Sequence, residues 1–153
     1  MRVVVASLLA LAACGGPVRA YPRWILGDGN RFAADCLEAE AFVRTSGKTG
    51  VGVTVALRSR STCAVRITRA ELILDDGRAA AELPPPETLP GRSLVYTWLP
   101  FAFDNNAAWN RGDRRGRFEV DVAIGDAAPR TWVIAAEHRF VDGRFQPAPT
   151  RWR

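Results

Sequence analysis

The stretch Val51-Gly52-Val53-Thr54-Val55-Ala56-Leu57-Arg58 alternates a larger apolar residue with a small or polar one at every step. Strand side chains point to opposite faces with a period of two, so the pattern predicts a strand with one face in a core. Upstream, Leu37, Ala39, Ala41 and Val43 share one parity and predict a partner strand. The Ala-rich residues 32–42 are also the chain's best helix candidate, but their alternation favours a strand. Downstream, Val65 and Ile67 are followed by Ala70, Leu72 and Leu74, and this change of parity predicts a β-bulge near Thr68-Arg69.

The same reading extends to the rest of the chain. Asp75-Asp76-Gly77 and Pro90-Gly91 are turn sequences, and Pro84-Pro85-Pro86 stops a short strand over 78–83. Residues 93–103 (SLVYTWLPFAF) form a long aromatic strand, in which Pro100 requires an edge position or a bend. Phe118, Val120, Val122 and Ile124 alternate with Glu119, Asp121 and Ala123, and residues 131–136 supply a last strand. About seven strands with short turns predict an all-β fold, an antiparallel β-sandwich of the immunoglobulin-like type.

The composition narrows the function. The chain has 153 residues, 48% of them hydrophobic, with a formal charge of +5. That apolar fraction excludes a disordered chain, and the length fits one domain. One His, three Cys and a single, initiating Met leave little from which to build a metal cluster or a nucleophile–base pair. The expectation is a non-enzymatic protein without cofactor or metal. A small envelope hydrolase built on two converging carboxylates is the alternative from another class. No nucleic-acid reading element is evident, so nucleic acid is not an expected partner.

The N-terminus carries an address. Arg2 is followed by eleven apolar or small residues, Val3 to Ala13, the size of a signal-peptide core and half a membrane span. The following Leu11-Ala12-Ala13-Cys14-Gly15-Gly16 resembles the lipobox of bacterial lipoproteins. The resemblance implies that residues 1–13 are a removed signal peptide and that Cys14 is lipidated and becomes the first mature residue. Two or more acyl chains give stable anchoring where one does not. Gly15 rather than Asp after the Cys implies sorting to the outer membrane of a Gram-negative cell. Residues 14–31 then read as the lipidated Cys and a tether ending in a short ordered lead-in, in which Trp24, Ile25 and Leu26 are candidates to dock on the domain, 32–140 as the sandwich and 141–153 as a loose tail. Without Arg2 the balance is 20 basic against 16 acidic residues, or +4.

With Cys14 assigned to lipid, Cys36 and Cys63 remain as an even pair in an oxidising compartment, which predicts a disulfide. A three-residue hairpin loop at Lys48-Thr49-Gly50 would set Val43 opposite Val55 and Cys36 opposite Thr62, one residue short of Cys63.

The order Arg58-Ser59-Arg60-Ser61-Thr62, Val65-Arg66-Ile67, Asp75-Asp76-Gly77, Leu89-Pro90-Gly91 also resembles the immunoglobulin-like domains of many bacterial surface lipoproteins. The resemblance covers residues 34–140 and implies fold far more than activity. The expected role is an interaction or accessory module of the cell envelope, held to the membrane by its lipid and meeting an envelope protein.

Two features are candidate contact surfaces. Arg111, Arg114, Arg115 and Arg117 follow Trp109 closely, and guanidinium forks beside an aromatic face suit an anionic glycan or lipid. The plainer reading is a solvated loop in an Arg-rich chain. Tyr96 and Trp98 share a face opposite Leu99, Phe101 and Phe103. One set fills the core, and the other is available to a partner.

Overall fold

In the computed structural model of the chain, residues 21–46, 50–75, 77–102 and 114–141 are described. The alternating segments pair as antiparallel ladders. The strands are β1 (Tyr21–Leu26), β2 (Arg31–Ala34), β3 (Leu37–Ser46), β4 (Gly50–Ser59), β5 (Cys63–Leu74), β6 (Gly77–Ala80), β7 (Glu87–Leu89), β8 (Leu94–Ala102), β9 (Arg114–Ile124) and β10 (Arg130–Val141). One sheet has the order β1-β10-β9-β5-β6, with β7 also paired to β5, and the other has the order β2-β3-β4-β8. The fold is an antiparallel β-sandwich. The seven expected strands are β3, β4, β5, β6, β8, β9 and β10, and β1, β2 and β7 are additional.

The inner faces follow the parity of the sequence. Val51, Val53, Val55 and Leu57 of β4 and Leu99 and Phe101 of β8 meet Leu72, Phe118, Val120 and Ile134 of the larger sheet in one core. Phe101 and Phe118 join the two layers with ring centroids 4.9 Å apart, and Trp24 packs edge-on against Phe118 at 6.3 Å. The parity change in β5 is the expected bulge: Ile67 pairs Val122 and Arg69 pairs Asp121, so Thr68 is the extra residue.

Residues 32–42 are strand, as their alternation predicts, and are divided into β2 and β3 at Asp35, whose left-handed φ of 49° turns the chain back within two residues. Two expectations are corrected. The domain starts earlier than residue 32: Tyr21 to Leu26 pair with Val141 to Ala136 on β10, so the last part of the supposed tether is an edge strand. The β3–β4 register differs by two residues from the one expected. Val43 faces Val53 and Ala41 faces Val55, with a bulge at Arg44. A shift of two preserves the faces, so the core set is unaffected.

The disulfide joins Cys36, in the β2–β3 turn, to Cys63, the first residue of β5. It closes the open end of the β3–β4 hairpin and at the same time connects the two sheets. Residues 1–20, including Cys14, and residues 142–153 lie outside the described residues.

Candidate functional site

The two outer faces of the sandwich differ in chemistry. On the larger sheet, β5, β9 and β10 turn charged residues outward. The Arg69 guanidinium donates to Asp121 at 2.8 Å, Glu71 at 3.0 Å and Glu119 at 3.2 Å. Arg117 donates to Glu119 at 2.7 Å, and the Thr131 hydroxyl donates to Asp121 at 2.7 Å. The Arg69 guanidinium holds the Asp121 carboxyl below its ordinary range, and Arg117 followed by Arg69 does the same for Glu119. Each cation on this part of the face already has an anion beside it.

The outer face of the four-stranded sheet carries an apolar group along β8, bounded by Arg58 opposite Leu94. Leu94, Tyr96 and Trp98 occupy alternate positions of β8 and are 42%, 59% and 42% exposed, and Phe42 of β3 is 37% exposed. Phe42 and Tyr96 meet edge to face at 6.4 Å. Between them run Gly52, Thr54 and Ala56, which point away from the core yet are buried. The small side chains of β4 make a floor that the larger ones of β3 and β8 cover. The Thr54 hydroxyl, opposite Phe42 on one side and Trp98 on the other, is buried without a hydrogen-bond partner. Charges gather toward β2. Arg31 reaches the buried Glu40 at 3.4 Å, and Glu38 pairs with Arg60, which lowers the Glu38 pKa.

Of the arginine candidates, Trp109 and Arg111 lie outside the described residues, while Arg114, Arg115 and Arg117 lie on β9. The structure divides them. Arg117 turns toward Glu119 on the charged outer face, whereas Arg114 and Arg115 line an open cleft of about 560 Å³ with Leu74, Asp75, Glu137, His138 and Arg139. Arg115 and Arg139 both pair with Glu137, the former at 3.7 Å. Arg23 lies directly opposite Arg139 across β1 and β10. The cleft is at the end of the sheet where β1 begins, since Trp24, His138 and Arg114 are aligned across β1, β10 and β9.

Sequence reading selected Tyr96 and Trp98 as one face but missed Phe42 and Arg139. Parity along β8 also marks Leu94 as a member of the set. Phe42 and Arg139 are recruited by cross-strand register, which local sequence leaves open.

No family model and no curated protein matches the chain. A crystal structure of a protein from Archaeoglobus fulgidus superposes with a TM-score of 0.51 at 13% identity, covering 66% of this chain and 94% of that one. The likeness is one of fold. A Northeast Structural Genomics Consortium target superposes with a TM-score of 0.37 at 7% identity, covering 88% of this chain and 95% of that one.

Proposed function

We propose that the protein is a non-enzymatic interaction module of the bacterial cell envelope, anchored by lipid on Cys14. Its contact surface is the outer face of the four-stranded sheet. The observation that carries this reading is the contrast between the two outer faces. Arg69 and Arg117 on the larger sheet are met by Glu119 and Asp121, while Phe42, Leu94, Tyr96 and Trp98 form one contiguous exposed apolar group on the smaller one. Grouped exposed aromatics over a floor of small, buried side chains suit protein contact.

The anchor and the domain are close in this reading. Six residues separate Cys14 from Tyr21, so covalent geometry limits the distance between them to about 25 Å. The β1-start end of the sandwich, with Arg23, Arg114, Arg115 and Arg139, is therefore tied near the membrane. This supports a second reading, in which the arginine cleft contacts anionic lipid headgroups. Arg23 opposite Arg139 is a like-charge pair that disfavours the isolated sheet, and a nearby anion relieves it.

The test is crosslinking and affinity capture of the anchored protein from its own membrane. The expected result is a discrete partner that is lost when Tyr96 and Trp98 are both changed to Ala and retained when Arg114, Arg115 and Arg139 are changed to Ala. Retention in the aromatic variant overturns the leading reading. Loss in the arginine variant, with weaker binding to vesicles containing anionic lipid, favours the second. Labelled palmitate should enter the natural chain and fail to enter Cys14→Ser.

A further inference from the structure

We propose that the chain dimerises by pairing β8 with β8 of a second copy, antiparallel, about a two-fold axis at Tyr96. The inference concerns the backbone edge of this strand and stands independently of the partner proposed for its side-chain face.

Backbone directions decide which groups are available. The Ser59 N–H donates to the Ser93 carbonyl at 3.0 Å, so Ser93 faces β4. Antiparallel backbone alternates its direction. Val95, Thr97, Leu99 and Phe101 therefore also face β4, and Leu94, Tyr96, Trp98 and Pro100 face the edge. The Glu82 N–H donating to the Pro100 carbonyl at 3.3 Å agrees with this assignment. Pro100 thus sits where its missing N–H costs the β4 ladder nothing. The chain covers the far end of the edge with Ala81 and Glu82, bridged at Phe101 and Pro100. Among the described residues, the N–H and C=O groups of Leu94, Tyr96 and Trp98 have no strand beside them.

Folded proteins blunt such edges with charge, short length, proline or bulges. Edge strand β1 carries Arg23, β2 has four residues and Arg31, and β6 has four residues and Arg78. β8 has nine residues, an unbroken register with β4, and no charged side chain, which is true of no other strand of the ten described. Its proline lies at the end already covered.

The same features specify a second copy as the occupant. A strand that pairs with itself about a two-fold axis sets its own charges against one another. In a chain of charge +5, an uncharged edge avoids that repulsion. With Tyr96 opposite Tyr96, Leu94 falls opposite Trp98 in both directions, and every edge-facing group from 94 to 98 finds a partner. A register two residues further along would place Pro100 opposite Leu94, losing a donor and colliding with Ala81 and Glu82. The paired strands make one eight-stranded sheet, and the two aromatic faces become continuous across the seam.

Sedimentation of the purified full chain in mild detergent, over a concentration series into the high micromolar range, tests the proposal together with cysteine pairing in a Cys14→Ser background. The expected species is a reversible dimer. Tyr96→Cys should oxidise to a covalent dimer, because residue 96 meets itself. Leu94→Cys and Trp98→Cys should each fail alone and crosslink when mixed. Tyr96→Pro removes only an edge-facing N–H, so it should weaken dimerisation at least tenfold while thermal unfolding of the monomer persists. If that variant fails to fold, Tyr96→Lys, which leaves the backbone intact and opposes two charges, decides by the same readout. A monomer across the whole series, a dimer insensitive to both substitutions, or crosslinking of Leu94→Cys alone overturns the proposal.

Discussion

Cys36 and Cys63 are bonded across the sandwich, with their Cα atoms 5.8 Å apart, so the turn between β2 and β3 is fixed to the first residue of β5 in the opposite sheet. Around the bond, the Arg60 N–H donates to the Cys36 carbonyl at 2.8 Å, and Cys63 is buried. The bridge therefore closes the β3–β4 hairpin as a loop and holds the two layers together at one end.

Changing both Cys36 and Cys63 to Ala should lower stability by about 3 kcal/mol. A sequence separation of 27 corresponds to roughly 3–4 kcal/mol of chain entropy in the unfolded state. Urea denaturation with and without reductant checks this: reductant should shift the midpoint of the natural chain and leave that of the double variant unchanged.

Gly116 lies in β9 between Leu74 of β5 and Ala136 of β10. A Cβ there would come within 2.5 Å of the Ile73 carbonyl oxygen and 2.4 Å of a Leu74 methyl. Backbone on one side prevents relief by a rotamer change. Gly116→Ala should destabilise the fold by about 2–3 kcal/mol, the cost of overpacking a filled site. A thermal midpoint equal to that of the natural chain would contradict this close approach of β9 to β5.

Arg69 holds three carboxylates, and the pH dependence of stability should reveal it. Asp121 and Glu119 have folded-state pKa values depressed by neighbouring guanidinium groups. Such groups contribute stability above their unfolded values and lose it as pH falls through the folded ones. Arg69→Met should therefore lower stability near neutral pH, by an amount that solvent screening of the 38% exposed Arg69 side chain keeps modest. The difference from the natural chain should shrink as pH drops below about 4, where carboxylates protonate. A constant difference from pH 7 down to the acid limit would mean that packing, not charge, is what Arg69 provides.

Adjacent residues of β8 should behave oppositely. Leu99 is buried in the core and Trp98 stands on the outer face. Leu99→Ala should cost about 3 kcal/mol by opening a cavity. Trp98→Ala, in the smaller residue set of the apolar face, should cost about 1 kcal/mol or less. Denaturant midpoints for the two variants measure the contrast.

The local pattern determined most of this fold. Strict alternation in β4 and β9, the parity change at Thr68 and the placement of Pro100 are short-range signals, because a strand's two faces are set by consecutive residues. The pairing of Cys36 with Cys63 followed from counting and compartment. Tertiary structure alone decided which strands lie side by side. Trp24, Ile25 and Leu26 mark the end of the tether as able to dock, but three consecutive apolar residues show no strand alternation, and only the edge of β10 makes a strand of Tyr21 to Leu26. The register of β3 on β4 depended on the bulge at Arg44, to which parity is blind. Candidate surfaces followed the same division. Tyr96 and Trp98 were legible as one face of one strand, whereas Phe42 joined them through pairing across Thr54. Arg117 left the other arginines because Glu119, two residues away on the same face, neutralises it, while register brought Arg139 to Arg114 and Arg115. Sequence fixes which side of a strand a residue takes, and pairing between distant segments fixes its neighbours.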